Sequence, residues 1–111
     1  MWACTSIRVV LEDEIVSDVL ERFEKSDRSP KVYTLSIADG EAPLDVHFSR
    51  VKDFLRENMA DLRQVAEVGE INVYTTWTPN DPQDGLQLDE ELIALLASVG
   101  GYFLLDTLSD G

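Results

Sequence analysis

The stretch DEIVSDVLERFEKS (residues 13–26) decides what separates the first two strands of this chain. Ile15, Val16, Val19, Leu20 and Phe23 recur one helical turn apart, which predicts an amphipathic helix. Glu12 or Asp13 can cap its start, and Lys25 falls in the last turn, where a cation suits the helix dipole. On either side stand CTSIRVVL (4–11) and KVYTLSIAD (31–39), both rich in β-branched residues and predicted as strands. In the second, Val32, Thr34 and Ser36 face one way and Tyr33, Leu35 and Ile37 the other.

The alternation continues outward. Pro43 precedes a helix whose stripe is Leu44, Phe48, Val51 and Leu55. Asn58 marks a break, and a shorter helix through Leu62, Val65 and Ala66 is closed by Gly69. EINVYTTWT (70–78) is a third strand with Ile71, Val73, Thr75 and Trp77 on one face. The prolines of PNDPQDG (79–85) exclude a strand interior there. DEELIALLASVGG (89–101) is a helix capped by Asp89, ended by Gly100 and striped by Leu92, Leu95, Leu96 and Val99. YFLLDTL (102–108) is a fourth strand. The expected architecture is α+β: one domain over residues 1–111, a two-layer sandwich of a four-stranded sheet with helices on one face, in the order β-α-β-α-β-α-β. Strand order stays open.

The chain has 111 residues, of which 44% are hydrophobic, enough to bury a core without disulfide or metal staples. No apolar run approaches the roughly 18 residues of a membrane span. The first residues do not resemble a secretory signal, so the expected compartment is the cytoplasm. Nine basic and 22 acidic residues give a net charge of −13. Every Lys and Arg lies at or before Arg63, so the chain beyond it holds carboxylates and no cation. Direct nucleic-acid binding is disfavoured because phosphate contacts need Lys and Arg, and anionic membranes are disfavoured likewise. A basic protein partner is favoured.

Chemical motifs are scarce. With Gly85 at the sixth position of an EF-hand loop, Asn80, Asp84 and Glu91 fall at the first, fifth and twelfth. Pro82 occupies the third and offers no side-chain oxygen, and a strand pattern precedes the loop where a helix is required. The stretch is therefore expected to be a connector, and no metal or other cofactor is expected. His47, the one histidine, could pair with Asp45 or Glu41 for acid–base work, but its neighbours Phe48 and Val51 make it a boundary residue of the helix stripe. Cys4 has no partner for a disulfide and is expected to be a small apolar strand residue. Motifs for nucleophilic or phosphate chemistry are absent, so no catalytic residue is assigned and an enzyme is not expected. Trp77 followed by Asp81 and Asp84, with Glu90 and Glu91 beyond, has the composition of an aromatic anchor beside acidic contacts for a basic partner. Acids on a helix face, such as Glu67, could serve equally.

Residues 44–108 resemble a family of small bacterial proteins known only as a domain of unknown function. The likeness lies in LDVHFSRVKDFLRENMADLRQVAEVGEINVYTTW and in LDEELIALLASVGGYFLLD, with Asp89 where the family tends to have serine. The family often has a tryptophan in the strand that here reads KVYTLSIAD, where this chain has none. The resemblance implies structural motifs and carries over no catalytic residue. Small size, absence of a catalytic constellation and the acidic second half lead to a first expectation. The chain is a bacterial immunity protein that binds and neutralises a toxin domain, such as a basic nuclease. The alternative is an accessory or regulatory domain that binds another protein or a small ligand. Oligomeric state is not legible.

Overall fold

A computed structural model describes residues 2–27, 31–78 and 86–107. Five strands form one mixed sheet in the order β2-β3-β1-β4-β5. They are β1 (Trp2–Leu11), β2 (Glu24–Lys25), β3 (Lys31–Gly40), β4 (Gly69–Thr78) and β5 (Tyr102–Thr107). The helices are α1 (Leu44–Glu57), α2 (Met59–Ala66) and α3 (Glu90–Val99), with a 3-10 helix at Asp18–Arg22.

The expected order β-α-β-α-β-α-β with four strands is overturned at its first step. Residues 13–26 do not form an α-helix; they run as irregular chain, the short 3-10 helix and β2. The apolar spacing was real, since Val19, Leu20 and Phe23 are buried. Yet β1 and β3 are antiparallel neighbours, which need no helical crossover. Glu24 and Lys25 instead pair with Thr34 and Tyr33 as a fifth strand. The Ser26 N–H donates to the Val32 carbonyl at 2.9 Å, and the Val32 N–H donates to Ser26 Oγ at 3.0 Å. The segment's β-branched Ile15, Val16 and Val19, with Asp13, Ser17 and Asp18, also give weak local support to a helix. Val16 ends fully exposed.

The remaining chain follows the expected alternation. β1 is central, antiparallel to both β3 and β4. Only β4 and β5 are parallel, and α3 lies in the connection between them. Ala3, Thr5, Ile7, Val9 and Leu11 of β1 are buried on one face beneath the helices. Register aligns them with Trp77, Thr75, Val73, Ile71 and Gly69 of β4. A bulge opposite Thr5 and Ser6 leaves Ile37 as the extra residue of β3, so Ala38 returns to the covered face. Phe48, Val51, Leu55, Leu62, Leu92 and Val99 close the core from the helix side.

The caps of α3 behave as their chemistry requires. Asp89 Oδ1 accepts from the Leu92 N–H at 2.7 Å, and Gly100 takes φ 75°, the left-handed turn expected after α3. Gly69 does not close α2. It is the first residue of β4, against Val10 and Leu11 of β1.

Candidate functional site

The sheet has two faces of different chemistry. Beneath the helices lies a polar trio inside the core. Thr5 Oγ1 is 2.9 Å from His47 Nδ1 and 3.0 Å from Thr75 Oγ1. His47 is fully buried rather than at a boundary, because it stands three residues after Leu44, inside the stripe of α1. Its Nε2 has no hydrogen-bond partner among the described residues. Burial lowers the imidazole pKa and Arg50 adds to the shift; the Ala42 backbone and Asp39 oppose it. The trio therefore buries a histidine whose neutral form is favoured, and it links α1 to β1 and β4.

That arrangement has a pH signature. The folded pKa lies below the ordinary 6.5, so the unfolded chain binds the proton first. Stability from the neutral ring is complete above that value and falls as pH drops through the folded pKa. His47 is the only histidine. Below about pH 6.5 it should thus give a slope of up to about 1.4 kcal/mol per pH unit. Urea midpoints across this window should shift for the parent and stay nearly flat for His47→Asn. A parent midpoint that moves no more than the variant's would show that the fold does not lower the pKa of the ring.

On the opposite face, no helix covers the sheet among the described residues. Alternation along the strands and their register place there Trp2, Cys4, Ser6, Arg8 and Val10 of β1, and Glu70, Asn72 and Tyr74 of β4. Tyr102, Leu104 and Asp106 of β5 join them through the parallel register. Asp39 stands opposite Cys4, and Glu24 opposite Thr34, on the same face.

These side chains form an ordered ladder. The Arg8 guanidinium lies 4.8 Å from the Tyr74 ring centroid. Tyr74 Oη donates to Asp106 Oδ2 at 3.1 Å, and Tyr102 Oη donates to Glu70 Oε2 at 3.2 Å. Asn72 is 2% exposed, and its Nδ2 lies 3.5 Å from Tyr102 Oη. Its Oδ1 has no partner among the described residues. Trp2, Tyr102 and Leu104 remain 43%, 42% and 38% exposed. The phenols hold the carboxylates in place without neutralising them, and Arg8 is the one cation on this face among the described residues. Burial, then Asp39, raises the Cys4 thiol pKa, which keeps that thiol protonated and poorly nucleophilic.

Of the residues expected to meet a partner, Trp77, Glu90 and Glu91 lie among the described residues and do not share one surface. Trp77 is 5% exposed on the helix-covered face, with Nε1 lacking a partner among the described residues. Its parity with Ile71, Val73 and Thr75 already signalled that placement. Asp81 and Asp84 lie outside the described residues. Glu90 is exposed, and no ion pair reaches it among the described residues. Glu91 pairs with Arg56, and Asp89 pairs with Lys52 at 2.8 Å. The Lys52 hydrogen bond, then the Leu92 N–H, holds the Asp89 carboxyl below the usual range. Arg63 Nε donates to the Ser98 carbonyl at 2.8 Å. Cations from the first half of the chain thus fold over α3. Glu67, Glu70 and Asp106 have no such cation among the described residues, which moves the uncompensated charge toward β4 and β5.

Among the described residues no cluster of three His, Cys, Asp or Glu side chains suited to an ion occurs, and residues 80–85 of the loop weighed as an EF-hand lie outside them. No described helix is long and apolar enough to cross a membrane. No protein-family model, curated protein or solved structure matches the chain.

Proposed function

We propose that this chain is a small acidic binding protein whose uncovered sheet face docks a basic protein partner. The observation that carries the reading is the ladder on β1, β4 and β5. Half-exposed Trp2, Tyr102 and Leu104 supply apolar contact area. Glu70 and Asp106, each held by a tyrosine hydroxyl, supply fixed negative charge beside it. Aromatic anchors with oriented charges are the elements from which protein interfaces draw affinity and speed of encounter. The net charge of −13 extends the attraction to long range. The more specific form of the proposal is a cytoplasmic immunity protein that occupies the nucleic-acid-binding surface of a basic toxin domain. Carboxylates would then lie where that toxin grips phosphate.

Co-expression of the tagged chain with the product of the adjacent gene tests this. A basic protein should be retained at low salt, released as salt rises, and deprived of its toxicity while bound. Tyr102→Ala should weaken the complex by about 30-fold, the size of an interface hot spot. Glu70→Gln with Asp106→Asn should mainly slow association. Unchanged affinity and on-rate in these variants would remove the sheet face from consideration.

A second reading has its own observation. An open groove of about 540 Å³ is lined by Ile15, Val16, Leu20, Phe23 and Tyr33, with the Glu14–Lys25 ion pair at its wall. Its size falls in the range of small-ligand sites. This groove favours an accessory domain that binds a small ligand. Native mass spectrometry of freshly purified protein would show an added mass, and Phe23→Trp should abolish it by filling the space.

A further inference from the structure

The two edges of the sheet are defended very differently. An exposed edge strand offers unpaired N–H and C=O groups to any extended chain, and proteins blunt this with short strands, charges, Pro or bulges. The β2 edge follows that rule: it is two residues long, Glu24 and Lys25, and both are exposed. The β5 edge has a single charge, Asp106, and none of the other devices. It runs for six residues, YFLLDT, with no Pro, Gly or Lys. Its register with β4 is unbroken from Tyr102 to Thr107. Leu104 and Leu105, on opposite faces, are 38% and 40% exposed, and Tyr102 is 42% exposed. Among the described residues nothing pairs with its outer side.

We propose that β5 is a docking edge, to which an extended segment of the basic partner adds as a sixth strand. This rests on the reading of the chain as a binder of a basic protein and names how that partner is held. Backbone pairing to β5 would supply affinity, with alternate side chains reaching Leu104 on one face and Leu105 on the other. Charge selects the occupant. Asp106 lies in β5 itself, Glu70 reaches Tyr102 from β4, and no cation follows Arg63 in the chain. A second copy would bring another −13 to the same edge, so a strand that alternates Lys or Arg with apolar residues fits where a homodimer does not.

The probe is a capped peptide of about eight residues alternating Lys and Val, a common strand length. Its companions are the same peptide N-methylated at every second residue and a Glu–Val counterpart. Hydrogen exchange of the full chain should slow by about tenfold or more at residues 102–107 when the Lys–Val peptide is added. The N-methylated and acidic peptides should not produce this. Leu104→Lys with Leu105→Lys, checked for folding by circular dichroism, should abolish the protection. Absence of binding, or equal binding of the N-methylated peptide, overturns strand addition. If Trp2→Ala and Tyr102→Ala still weaken the natural complex while exchange at β5 is unaltered, the face reading stands without it. Equal binding of the Glu–Val peptide overturns the choice of a basic partner itself. A mass that doubles with concentration while β5 becomes protected assigns the edge to a second copy and overturns the proposal.

Discussion

Leu55→Ala is expected to lower the unfolding free energy by about 2–5 kcal/mol. Ile93→Ala should change it by less than about 0.5 kcal/mol. Both residues lie on helices that cover the same face of the sheet. Leu55 is fully enclosed in the core cluster with Val51, Leu62 and the buried residues of β1 and β4, whereas Ile93 is 52% exposed. Truncation at Leu55 loses the transfer energy of the removed carbons and leaves a cavity that packed neighbours fill only in part. A single domain of this size has about 5–15 kcal/mol of stability, so the variant sits near the threshold of unfolding. Urea denaturation of the two variants measures the contrast. Equal midpoints would mean that α1 does not pack on the sheet as described.

Gly69→Ala should destabilise by about 1–3 kcal/mol, and Gly69→Val by more. A Cβ at this position would lie 2.5 Å from the Val10 carbonyl oxygen and would collide with Leu11 Cδ2. The Leu11 side chain is 1% exposed, inside the core. The carbonyl belongs to the central strand, so relief requires β1 and β4 to part where their pairing begins, at Leu11 and Gly69. Close approach, rather than an unusual dihedral, explains the glycine. The neighbouring Val68 is 56% exposed, and Val68→Ala should be nearly neutral. A thermal unfolding midpoint for Gly69→Ala equal to that of Val68→Ala would show that the strands tolerate the separation.

Periodicity made most elements legible. The stripe of α1, the break at Asn58, the Asp89 cap and Gly100 after α3 all rest on local rules, and each is satisfied within a few residues of chain. The alternation of β4 also placed Trp77 with Ile71 and Val73. Its burial was present in the pattern, although its proximity to acidic residues suggested a surface anchor. The two failures have one physical cause. Residues 13–26 have helical spacing, but the strand that captures their end is not written in them: Thr34 and Tyr33 of β3 pair with Glu24 and Lys25. The acids of α3 carry no nearby cation in the sequence, yet Lys52 and Arg56 of α1 reach them across the helix layer.

The amino-acid sequence by itself determined the net charge, the strands around Ile7, Val73 and Leu104, the helices of the second half and the absence of a local chemical motif. These depend on side chains within a turn or two of one another. Tertiary structure alone decided that β1 lies between β3 and β4, that the chain from Asp13 to Ser26 folds without an α-helix, and that His47 meets Thr5 and Thr75. It also decided which carboxylates keep their field. Pairing partners and ion pairs are settled by distances between segments far apart in the chain, and a hydrogen bond or a charge acts across those distances only once the layers have packed.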